Sequence, residues 1–310
     1  MPNTAAEELP PLDVVAAILW QADGRLLLSQ RPAHKHQGGR WEFPGGKVEA
    51  GESHHQALAR ELQEELGIAI TDSEPFMCIE HRYPELRVRL WFRTVRSFVG
   101  VAHGREGQPL GAYQLDELAQ LSFPAANRPV VRALMLPDRL LVLPSPLPSV
   151  AQLDATLAAH PGSWVYLRGL HDAAALSPWV SRCHAAGVRV LVADDAALMA
   201  AVGADGLHLR AAAAARLDQR PPVPWLSVAC HDAAQLDHAQ VLGADLALLS
   251  PLRATPTHPQ QPGMGWEQFQ ALAQGRPLSI YALGGVTPED LPQARQAGAR
   301  GVAGIRGFWQ

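Results

Sequence analysis

Residues 45–68 have the sequence GGKVEAGESHHQALARELQEELGI, and this stretch decides the fold and the chemistry of the first part of the chain. Charged residues recur in it at fixed offsets from a pair of glycines. Counting onward from Gly46, these residues are Glu52, Arg60, Glu61, Glu64 and Glu65. So many matched positions predict a defined structural unit rather than a generic acidic surface.

The middle of this stretch, from about Ser53 to Leu66, is predicted to be a helix. Ser53 is a suitable N-cap, and Gly67 is a suitable C-terminal stop. The apolar face of the predicted helix consists of Ala57, Leu58, Leu62 and Leu66. The helix therefore packs one side on a core and leaves the other for charged residues.

The glutamates of that helix predict a metal site. Glu61, Glu64 and Glu65 stand at i, i+3 and i+4, so they project from one side. Clustered carboxylates repel one another unless a cation lies between them, and hard oxygen ligands suit Mg²⁺ (or Mn²⁺). Such metals would neutralise phosphate charge and activate a water. We expect Arg60 to orient a glutamate such as Glu52; the alternative is a solvated face on which Glu and Arg simply pair.

Length and composition exclude several classes of protein. With 310 residues the chain is expected to form two domains. A net charge of −4 gives no general attraction to nucleic acid, so we expect no stable nucleic-acid binding. No apolar run approaches membrane-spanning length, and no signal-peptide core is present. Three scattered cysteines, Cys78, Cys183 and Cys230, are typical of reduced thiols in a cytoplasmic protein.

Residues 1–137 are predicted to form a first domain with a mixed β-sheet and helices. Val14–Leu19 and Arg25–Ser29 have the pattern of two strands joined by a hairpin turn at 22–24. Further strands are predicted between His81 and Val95.

The stretch 45–68 resembles the signature of the Nudix hydrolases at every fixed position. The surrounding domain is similar to the MutT-type 8-oxo-dGTP diphosphatases along nearly its whole length. Four segments carry this likeness: SQRP at 29–32 running to His36, WEFPGGK at 41–47, LWF at 90–92 followed by GREGQ at 104–108, and FPAANRP at 123–129. The resemblance implies a Nudix fold and hydrolysis of a nucleoside triphosphate to the monophosphate and pyrophosphate.

The resemblance also implies roles for individual residues. Gly45 would offer its carbonyl to the metal, with Glu61, Glu64 and Glu65 as helix ligands and Glu106 as a further ligand or base. Arg31 and His36 would contact phosphate or sugar, Glu42 and Phe43 would line the nucleoside pocket, and Asn127 would recognise the purine edge.

The predicted base contact has a physical basis. An Asn amide offers a donor and an acceptor, so it can address both O6 and the protonated N7 of an oxidised guanine. Ordinary guanine has only an acceptor at N7, which would leave one group unpaired. Two alternatives stay open at this point. Asn127 would serve equally well as a helix cap, and Phe43 would serve as ordinary core.

Residues 138–310 are predicted to form a small parallel (β/α)₈ barrel. Apolar strand-like runs alternate there with alanine-rich helical stretches. The predicted strands are Leu140–Leu143, Trp164–Leu167, Val188–Val192, Gly206–Leu209, Trp225–Val228, Leu246–Leu249, Ser279–Ala282 and Gly301–Ala303.

This second domain resembles the thiamine phosphate synthase and TenI family through ADGLHL at 204–209, YALGGV at 281–286 and GVAGI at 301–305. The resemblance implies phosphate-binding loops at Gly284, Gly285 and Gly304, and His231 as an acid/base in a TenI-like role. The synthase pattern is incomplete: Arg168 alone is kept from its Gln-x-Arg-x-Lys segment. No lysine follows Lys47 in the chain.

These features lead to one main expectation and two alternatives. The main expectation is a Mg²⁺-dependent Nudix pyrophosphohydrolase that removes oxidised guanine nucleotides from the nucleotide pool and so serves DNA repair. In the first alternative, the Nudix site hydrolyses a thiamine-related diphosphate. In the second, the barrel is a noncatalytic module that binds a phosphorylated small molecule.

Overall fold

The computed structural model describes residues 11–32, 37–83, 86–254 and 262–309. The polypeptide packs into two compact units, and each is described by itself. The first unit runs up to Val131 and includes Gly275–Pro277, and the second comprises Arg132–Gln274 and Leu278–Gln310. Among the described residues, no helix is long and apolar enough to cross a lipid bilayer.

The first unit is built on a mixed β-sheet. Its strands are β1 (Leu12–Trp20), β2 (Leu26–Gln30), β3 (Trp41–Glu42), β4 (Ala69–Ile70), β5 (Glu74–Arg82), β6 (Arg87–Val95), β7 (Phe98–Val99) and β8 (Leu110–Tyr113), and its helices are α1 (His54–Leu66) and α2 (Arg128–Leu134). The main sheet has the order β3-β2-β1-β6-β5, with β8 on the other edge of β2. Strands β1 and β6 are parallel and run in register from Leu12 opposite Val88 to Leu19 opposite Val95.

Helix α1 forms where the sequence predicts it. The Ser53 hydroxyl accepts a hydrogen bond from the Gln56 N–H, and the Gln56 side chain accepts one from the Ser53 N–H, which completes a capping box. Gly67 ends the helix in the left-handed conformation, with φ 68°. The predicted apolar face is fully buried: Ala57, Leu58, Leu62 and Leu66.

The glycine-containing loop before α1 is fixed against β1. Val15 N–H donates to the Gly46 carbonyl and Ala17 N–H to the Pro44 carbonyl, each at 2.8 Å. Gly45 has φ 145°, and a Cβ there would lie 2.2 Å from the Val15 carbonyl oxygen. Only glycine fits this close approach of two backbones. The backbone of the Gly45–Gly46 loop is therefore held in place on β1.

The second unit is a closed barrel of eight parallel strands, which confirms the predicted fold. The strands are β9 (Arg139–Val142), β10 (Trp164–Leu167), β11 (Val190–Ala193), β12 (Gly206–Leu209), β13 (Trp225–Cys230), β14 (Leu246–Leu249), β15 (Ser279–Leu283) and β16 (Gly301–Gly304). The helices between them are α3 (Val150–Ala159), α4 (Ala173–Ala185), α5 (Ala196–Val202), α6 (Ala211–Ala214), α7 (Ala233–Val241), α8 (Gly265–Ala273) and α9 (Leu291–Gln296). Some of these helices are as short as four to seven residues, which accounts for the small size of the barrel.

The barrel has two apolar layers. Alternate strand residues such as Tyr166, Trp225 and Tyr281 fill the interior, and Leu136 packs against the same cluster. The other strand positions, such as Val165 and Leu226, face the surrounding helices in a separate cluster. This alternation is what a parallel barrel with a packed interior requires.

The end of α2, from Arg132 on, belongs to the second unit. The Arg132 guanidinium donates to Asp245 at 2.7 Å and lies 3.3 Å over the Trp225 ring. Arg300 donates to the carbonyls of Ala133 and Leu136. The two compact units therefore divide at Arg132, a few residues before the predicted domain boundary after Pro137. The domain boundary between residues 137 and 138 stays a prediction.

Candidate functional site

The glutamates of α1 lie beside the glycine loop. Glu65 is partly buried, and its carboxylate accepts a hydrogen bond from the Gly45 N–H at 3.2 Å. Glu61 packs on the loop so closely that a Cβ on Gly46 would lie 2.3 Å from its carboxylate. Glu64 is the outer member, with 58% of its side chain exposed. The two inner carboxylates therefore meet the Gly45–Gly46 backbone, where the sequence predicts the metal.

Burial raises the pKa of Glu65 to about 7, and the negative charges of Glu61, Glu106 and Glu42 add to this effect. The Gly45 N–H acts in the opposite direction because it stabilises the carboxylate. In the metal-free protein Glu65 is therefore partly protonated near neutral pH. A cation placed against it would restore full ionisation.

Arg60 lies among the acidic side chains. Its Nε and Nη2 donate to the two oxygens of Glu52 at 2.9 and 3.0 Å, and Nη2 also donates to the Lys47 carbonyl at 2.9 Å. Its Nη1 donates to Glu61 at 2.9 Å and to Glu64 at 3.3 Å. The hydrogen bond from Arg60 is the main reason that the pKa of Glu52 is lowered. The expected Arg60–Glu52 pair is present, and the additional contacts to Glu61 and Glu64 were not anticipated.

The donor set fits a divalent cation in chemistry, although its side chains are not arranged around one point. Over the part of the chain that the structure describes, no three His, Cys, Asp or Glu side chains converge as a metal would require. Arg60 supplies positive charge to Glu61 and Glu64 in this arrangement. Glu65, by contrast, is held among like charges, and within the described ranges the Gly45 N–H donates a hydrogen bond to its carboxylate. Carboxylate oxygens so placed are the ligands that Mg²⁺ and Mn²⁺ prefer.

Glu106 comes to this cluster from a different part of the chain. It lies on the loop between β7 and β8, and its charge contributes to the raised pKa of Glu65. The loop is attached to the C-terminal end of α1, where Arg105 N–H donates to the Glu65 carbonyl at 2.9 Å. The structure thus brings the four predicted carboxylates of the site, on α1 and on this loop, into one region.

The predicted phosphate and sugar contacts differ from expectation in one respect. Arg31 forms a direct ion pair with Glu42, whose side chain is 24% exposed. Strand pairing explains this contact because Ser29 of β2 stands opposite Glu42 of β3. Both residues remain candidates for ligand contact, but as a pair. His36 lies outside the described residues.

The two candidates for base recognition have different environments. Phe43 is 4% exposed, and its ring packs edge-on against Phe92 and stacks on Phe123 at centroid distances of 5.6 and 5.9 Å. The ring therefore packs in the core, and its role in lining the nucleoside pocket stays a prediction. Asn127 is 8% exposed, and its side-chain amide makes no hydrogen bond within the described ranges. It does not cap α2, so this nearly buried amide is available to a ligand.

Sequence reasoning gave no role to Gln108, which the structure places next to the metal candidates. Its buried side chain accepts from the Glu106 N–H at 2.9 Å and donates to the Glu65 carbonyl at 3.2 Å. The only signal in the sequence was its place in the GREGQ segment, two residues after Glu106.

The second unit contains a cavity of about 970 Å³ at the carboxyl ends of the barrel strands. The predicted barrel residues all line it: His231, Gly284, Gly285 and Gly304. Arg168 and Arg306 also line it, and neither guanidinium has a partner among the described residues. Nδ1 of His231 lies 2.7 Å from the Ser250 carbonyl oxygen, which fixes the orientation of the ring.

The loop after β15 is held in a shape suited to an anion. Gly284 and Gly285 have φ of 99° and 69°, which favours glycine. The Arg253 guanidinium stabilises this loop: it donates to the Gly285 carbonyl at 2.8 Å and to both carboxylate oxygens of Asp290 at 2.7 Å. Asp290 in turn accepts from the Thr287 N–H at 2.8 Å. Phosphate binding by this loop stays a prediction, and the sequence did not reveal the contacts that Arg253 makes with it.

An acidic residue, Asp194, follows the third barrel strand, β11. Asp194 has φ 51° and accepts hydrogen bonds from both the backbone N–H and the Nε of Arg210. Its carboxylate is therefore already paired. No Asp or Glu is among the described residues that line the cavity. Such a cavity suits an anion held by N–H groups and guanidinium ions rather than by a carboxylate-bound metal.

Comparison with known proteins agrees with this geometry. A family model described as NUDIX domain matches residues 15–133, and one described as thiamine monophosphate synthase matches residues 165–308. The 8-oxo-dGTP diphosphatase of Escherichia coli (strain K12) is 37% identical over 123 residues, which are 40% of this chain and 95% of that protein. The CTP pyrophosphohydrolase of the same strain is 41% identical over 124 residues, 40% of this chain and 91% of that protein.

Two solved structures are also similar. A MutT structure, from a study of Aliivibrio salmonicida and Vibrio cholerae, shares 44% identity over 40% of this chain and 95% of its own, with a TM-score of 0.36. The thiamine phosphate pyrophosphorylase of Pyrococcus furiosus shares 16% identity over 56% of this chain and 87% of its own, with a TM-score of 0.45.

The chain belongs to the Nudix family of hydrolases through its first unit, and residues 165–308 of its second unit are similar to the thiamine monophosphate synthase model. It is a hydrolase that acts on diphosphate bonds, as members of its family are, and the family is generally dependent on a divalent metal.

Proposed function

We propose that the first domain hydrolyses nucleoside triphosphates to the monophosphate and pyrophosphate, and that 8-oxo-dGTP is its preferred substrate. Asn127 is the observation that carries the base preference. Its amide is 8% exposed and has no hydrogen-bond partner within the described residues. An amide without a protein partner can make its hydrogen bonds to a bound ligand.

The preference follows from the hydrogen-bonding groups of the base. The Asn127 NH₂ group would donate to O6 of 8-oxoguanine, and its oxygen would accept from the N7–H. Ordinary guanine carries a lone pair at N7, which would face the amide oxygen without a proton between them. A buried mismatch of this kind discriminates strongly between substrates.

The chain's own residues would prepare the diphosphate for attack. The Gly45 carbonyl, Glu61, Glu64, Glu65 and Glu106 would hold Mg²⁺. Bound Mg²⁺ neutralises phosphate charge and lowers the pKa of a water. Arg60 keeps the Glu52, Glu61 and Glu64 carboxylates in place through its hydrogen bonds. Glu65 and Glu106 are the candidates for accepting a proton from the attacking water.

The substrate is tested by measuring kcat/KM and identifying the products on the full-length protein with Mg²⁺. The panel is 8-oxo-dGTP, dGTP, CTP and thiamine diphosphate. The proposal expects 8-oxo-dGTP to be the best substrate and to release pyrophosphate. If CTP were the best substrate, the activity would instead resemble the one that the name of the CTP pyrophosphohydrolase relative indicates. Thiamine diphosphate as the best substrate would support the alternative in which both domains serve thiamine chemistry. If confirmed, the activity would protect the nucleotide pool and serve DNA repair.

A second function is proposed for the barrel, which we infer binds a phosphorylated small molecule. The cavity is lined by the glycine loops and by Arg168 and Arg306, whose guanidinium groups have no partner among the residues that the structure describes. The backbone N–H groups of Gly285 and Arg306 donate to no acceptor in the described part of the chain. Backbone N–H groups and arginines in such a cavity can cradle a phosphate.

Calorimetry with inorganic phosphate and with a phosphate monoester tests the barrel site. Arg306→Gln should weaken binding of either ligand about tenfold or more while the nucleotide hydrolysis of the first domain is kept. Equal affinity of the variant and the wild-type protein would contradict the assignment. Whether His231 adds a TenI-like acid/base step is a separate proposal, tested by assaying thiazole tautomerisation with and without His231→Ala.

A further inference from the structure

The loop that carries Glu106 is docked on the end of the metal helix. The last carbonyls of any α-helix lack partners within the helix. Here His103 N–H donates to the Leu66 carbonyl at 3.1 Å, and Arg105 N–H donates to the Glu65 carbonyl at 2.9 Å. The Arg105 guanidinium donates to the Gln63 carbonyl at 2.9 Å. These hydrogen bonds attach the loop to α1, but none of the three involves Glu106, the residue that carries the fourth carboxylate.

The Gln108 side chain connects Glu106 to α1. Its side chain is 8% exposed, and its two polar atoms have different partners. Oε1 accepts from the Glu106 N–H at 2.9 Å, and Nε2 donates to the Glu65 carbonyl at 3.2 Å. One amide group therefore joins the backbone of Glu106 to the backbone of Glu65.

Glycines close the loop tightly around this side chain. A Cβ on Gly104 would lie 2.0 Å from the Gln108 carbonyl oxygen. Gly107 has φ 78°, and its N–H donates to the Gly104 carbonyl at 3.2 Å. Glu106 thus stands at the tip of a tight turn, and its own side chain is exposed. Holding the backbone at such a tip limits the positions that the Glu106 carboxylate can reach.

We propose that Gln108 is a positioning residue that ties Glu106 to α1 and so holds the loop carboxylate at the metal site. The inference rests on the proposed role of Glu106 as a metal ligand. Gln108 itself would touch neither metal nor substrate. It would act in the manner of the hydrogen-bonded groups behind metal ligands, whose loss typically costs about 10-fold to 100-fold in metal affinity or activity.

Mn²⁺ binding to the full-length protein, measured by calorimetry, tests the proposal without relying on turnover. Gln108→Met keeps the length of the side chain and removes both hydrogen bonds, so Mn²⁺ affinity should fall about 10-fold to 100-fold. Arg105→Ala is the matched control, because it removes a bond to the same helix end but none to Glu106. It should change Mn²⁺ affinity less than twofold.

A double variant, Gln108→Met with Glu106→Gln, distinguishes a positioning role of Gln108 from a general contribution to the stability of the fold. If Gln108 acts through Glu106, then Gln108→Met should have no further effect on Mn²⁺ affinity once Glu106→Gln is present. A further loss in that background, or an unchanged affinity in the single variant, would overturn the proposal. An unchanged affinity in Glu106→Gln alone would instead overturn the ligand role of Glu106, and the inference with it.

Amide exchange on the wild-type protein provides a measurement that does not depend on any variant folding. The Glu106 N–H should exchange slowly for a residue at an exposed loop tip, because Gln108 accepts its hydrogen bond. Exchange at the rate of an unprotected loop amide would contradict the bridge.

Discussion

The Glu65 carboxylate accepts a hydrogen bond from the Gly45 N–H at 3.2 Å, across 20 positions of sequence. This contact joins the last turn of α1 to the glycine loop that lies along β1. Burial of this carboxylate, together with the negative charges around it, raises its pKa to about 7 against the opposing effect of the Gly45 N–H. The site is therefore electrostatically unfavourable in the metal-free protein, and a bound cation would relieve it.

Glu65→Gln should abolish nucleotide hydrolysis without unfolding the protein. The amide has the shape of the carboxylate and keeps an acceptor for the Gly45 N–H, but it is a poor metal ligand. Because loss of a group behind a ligand already costs 10-fold to 100-fold, loss of the ligand should lower kcat/KM by at least about 100-fold. Glu74→Gln, at the exposed start of β5, is the control. Full activity of Glu65→Gln would refute the metal-ligand assignment.

The contribution of Glu65 to the stability of the metal-free protein should fall as pH rises from about 4.5 to about 7. Glu65 has its folded-state pKa raised from 4.5 to about 7. Between these values Glu65 binds more protons in the folded state than in the unfolded state, so its contribution to the free energy of unfolding decreases with pH. Mg²⁺ competes with the proton, so its stabilising effect should be larger at pH 7.5 than at pH 5.

Thermal unfolding in EDTA and in Mg²⁺ at both pH values checks this expectation. The increase in Tm on adding Mg²⁺ should be several degrees greater at pH 7.5. Glu65→Gln should lose most of that pH dependence. An equal Mg²⁺ effect at both pH values would show that Glu65 does not exchange a proton for the metal.

The two glycines of the loop should respond differently to an added methyl group. At Gly46 the new Cβ would lie 2.3 Å from the Glu61 carboxylate, the movable end of a side chain. Gly46→Ala should therefore fold, displace Glu61 and reduce activity about 10-fold to 100-fold. At Gly45 the new Cβ would meet the Val15 carbonyl at 2.2 Å, in backbone with φ 145°.

Gly45→Ala should accordingly lower stability by about 1–3 kcal/mol or more, since the backbone itself must move. Denaturant unfolding and Mn²⁺ binding on both variants distinguish the two effects. The account is contradicted if Gly46→Ala retains wild-type Mn²⁺ affinity, or if Gly45→Ala is as stable as the wild-type protein.

His231→Ala should leave nucleotide hydrolysis within about twofold of wild type. His231 lines the barrel cavity, while the candidate metal ligands are all in the first unit. Changes at separate sites with no shared partners are usually independent. A large loss of hydrolysis in His231→Ala, with the fold intact by circular dichroism, would reveal coupling between the two activities.

The elements that were predictable from sequence are those with a local physical signal. Helix α1 has its cap, its apolar face and its stop within one short stretch, and the structure places all three as predicted. The barrel strands were recognisable because buried parallel strands are continuous apolar runs. The observed ends of some strands differ from the predicted ones by one or two residues; β11, for example, is Val190–Ala193 instead of the predicted Val188–Val192.

Other features depend on pairing across the fold and had no local signal. Arg31 and Glu42 pair because β2 and β3 are neighbours, and Phe43 is buried because Phe92 and Phe123 enclose it. The bridge made by Gln108 and the contacts made by Arg253 join residues that are distant in sequence. Periodicity and composition cannot reveal such contacts.

Recognition of the oxidised base by Asn127 should appear in the ratio of kcat/KM for 8-oxo-dGTP to that for dGTP. The ratio is measured with Mg²⁺ for the wild-type protein and for Asn127→Ala. We expect a large ratio for the wild-type protein and a ratio at least about tenfold smaller for the variant, with dGTP hydrolysis little changed. A wild-type ratio near one, or the same ratio in both proteins, would contradict this recognition by Asn127.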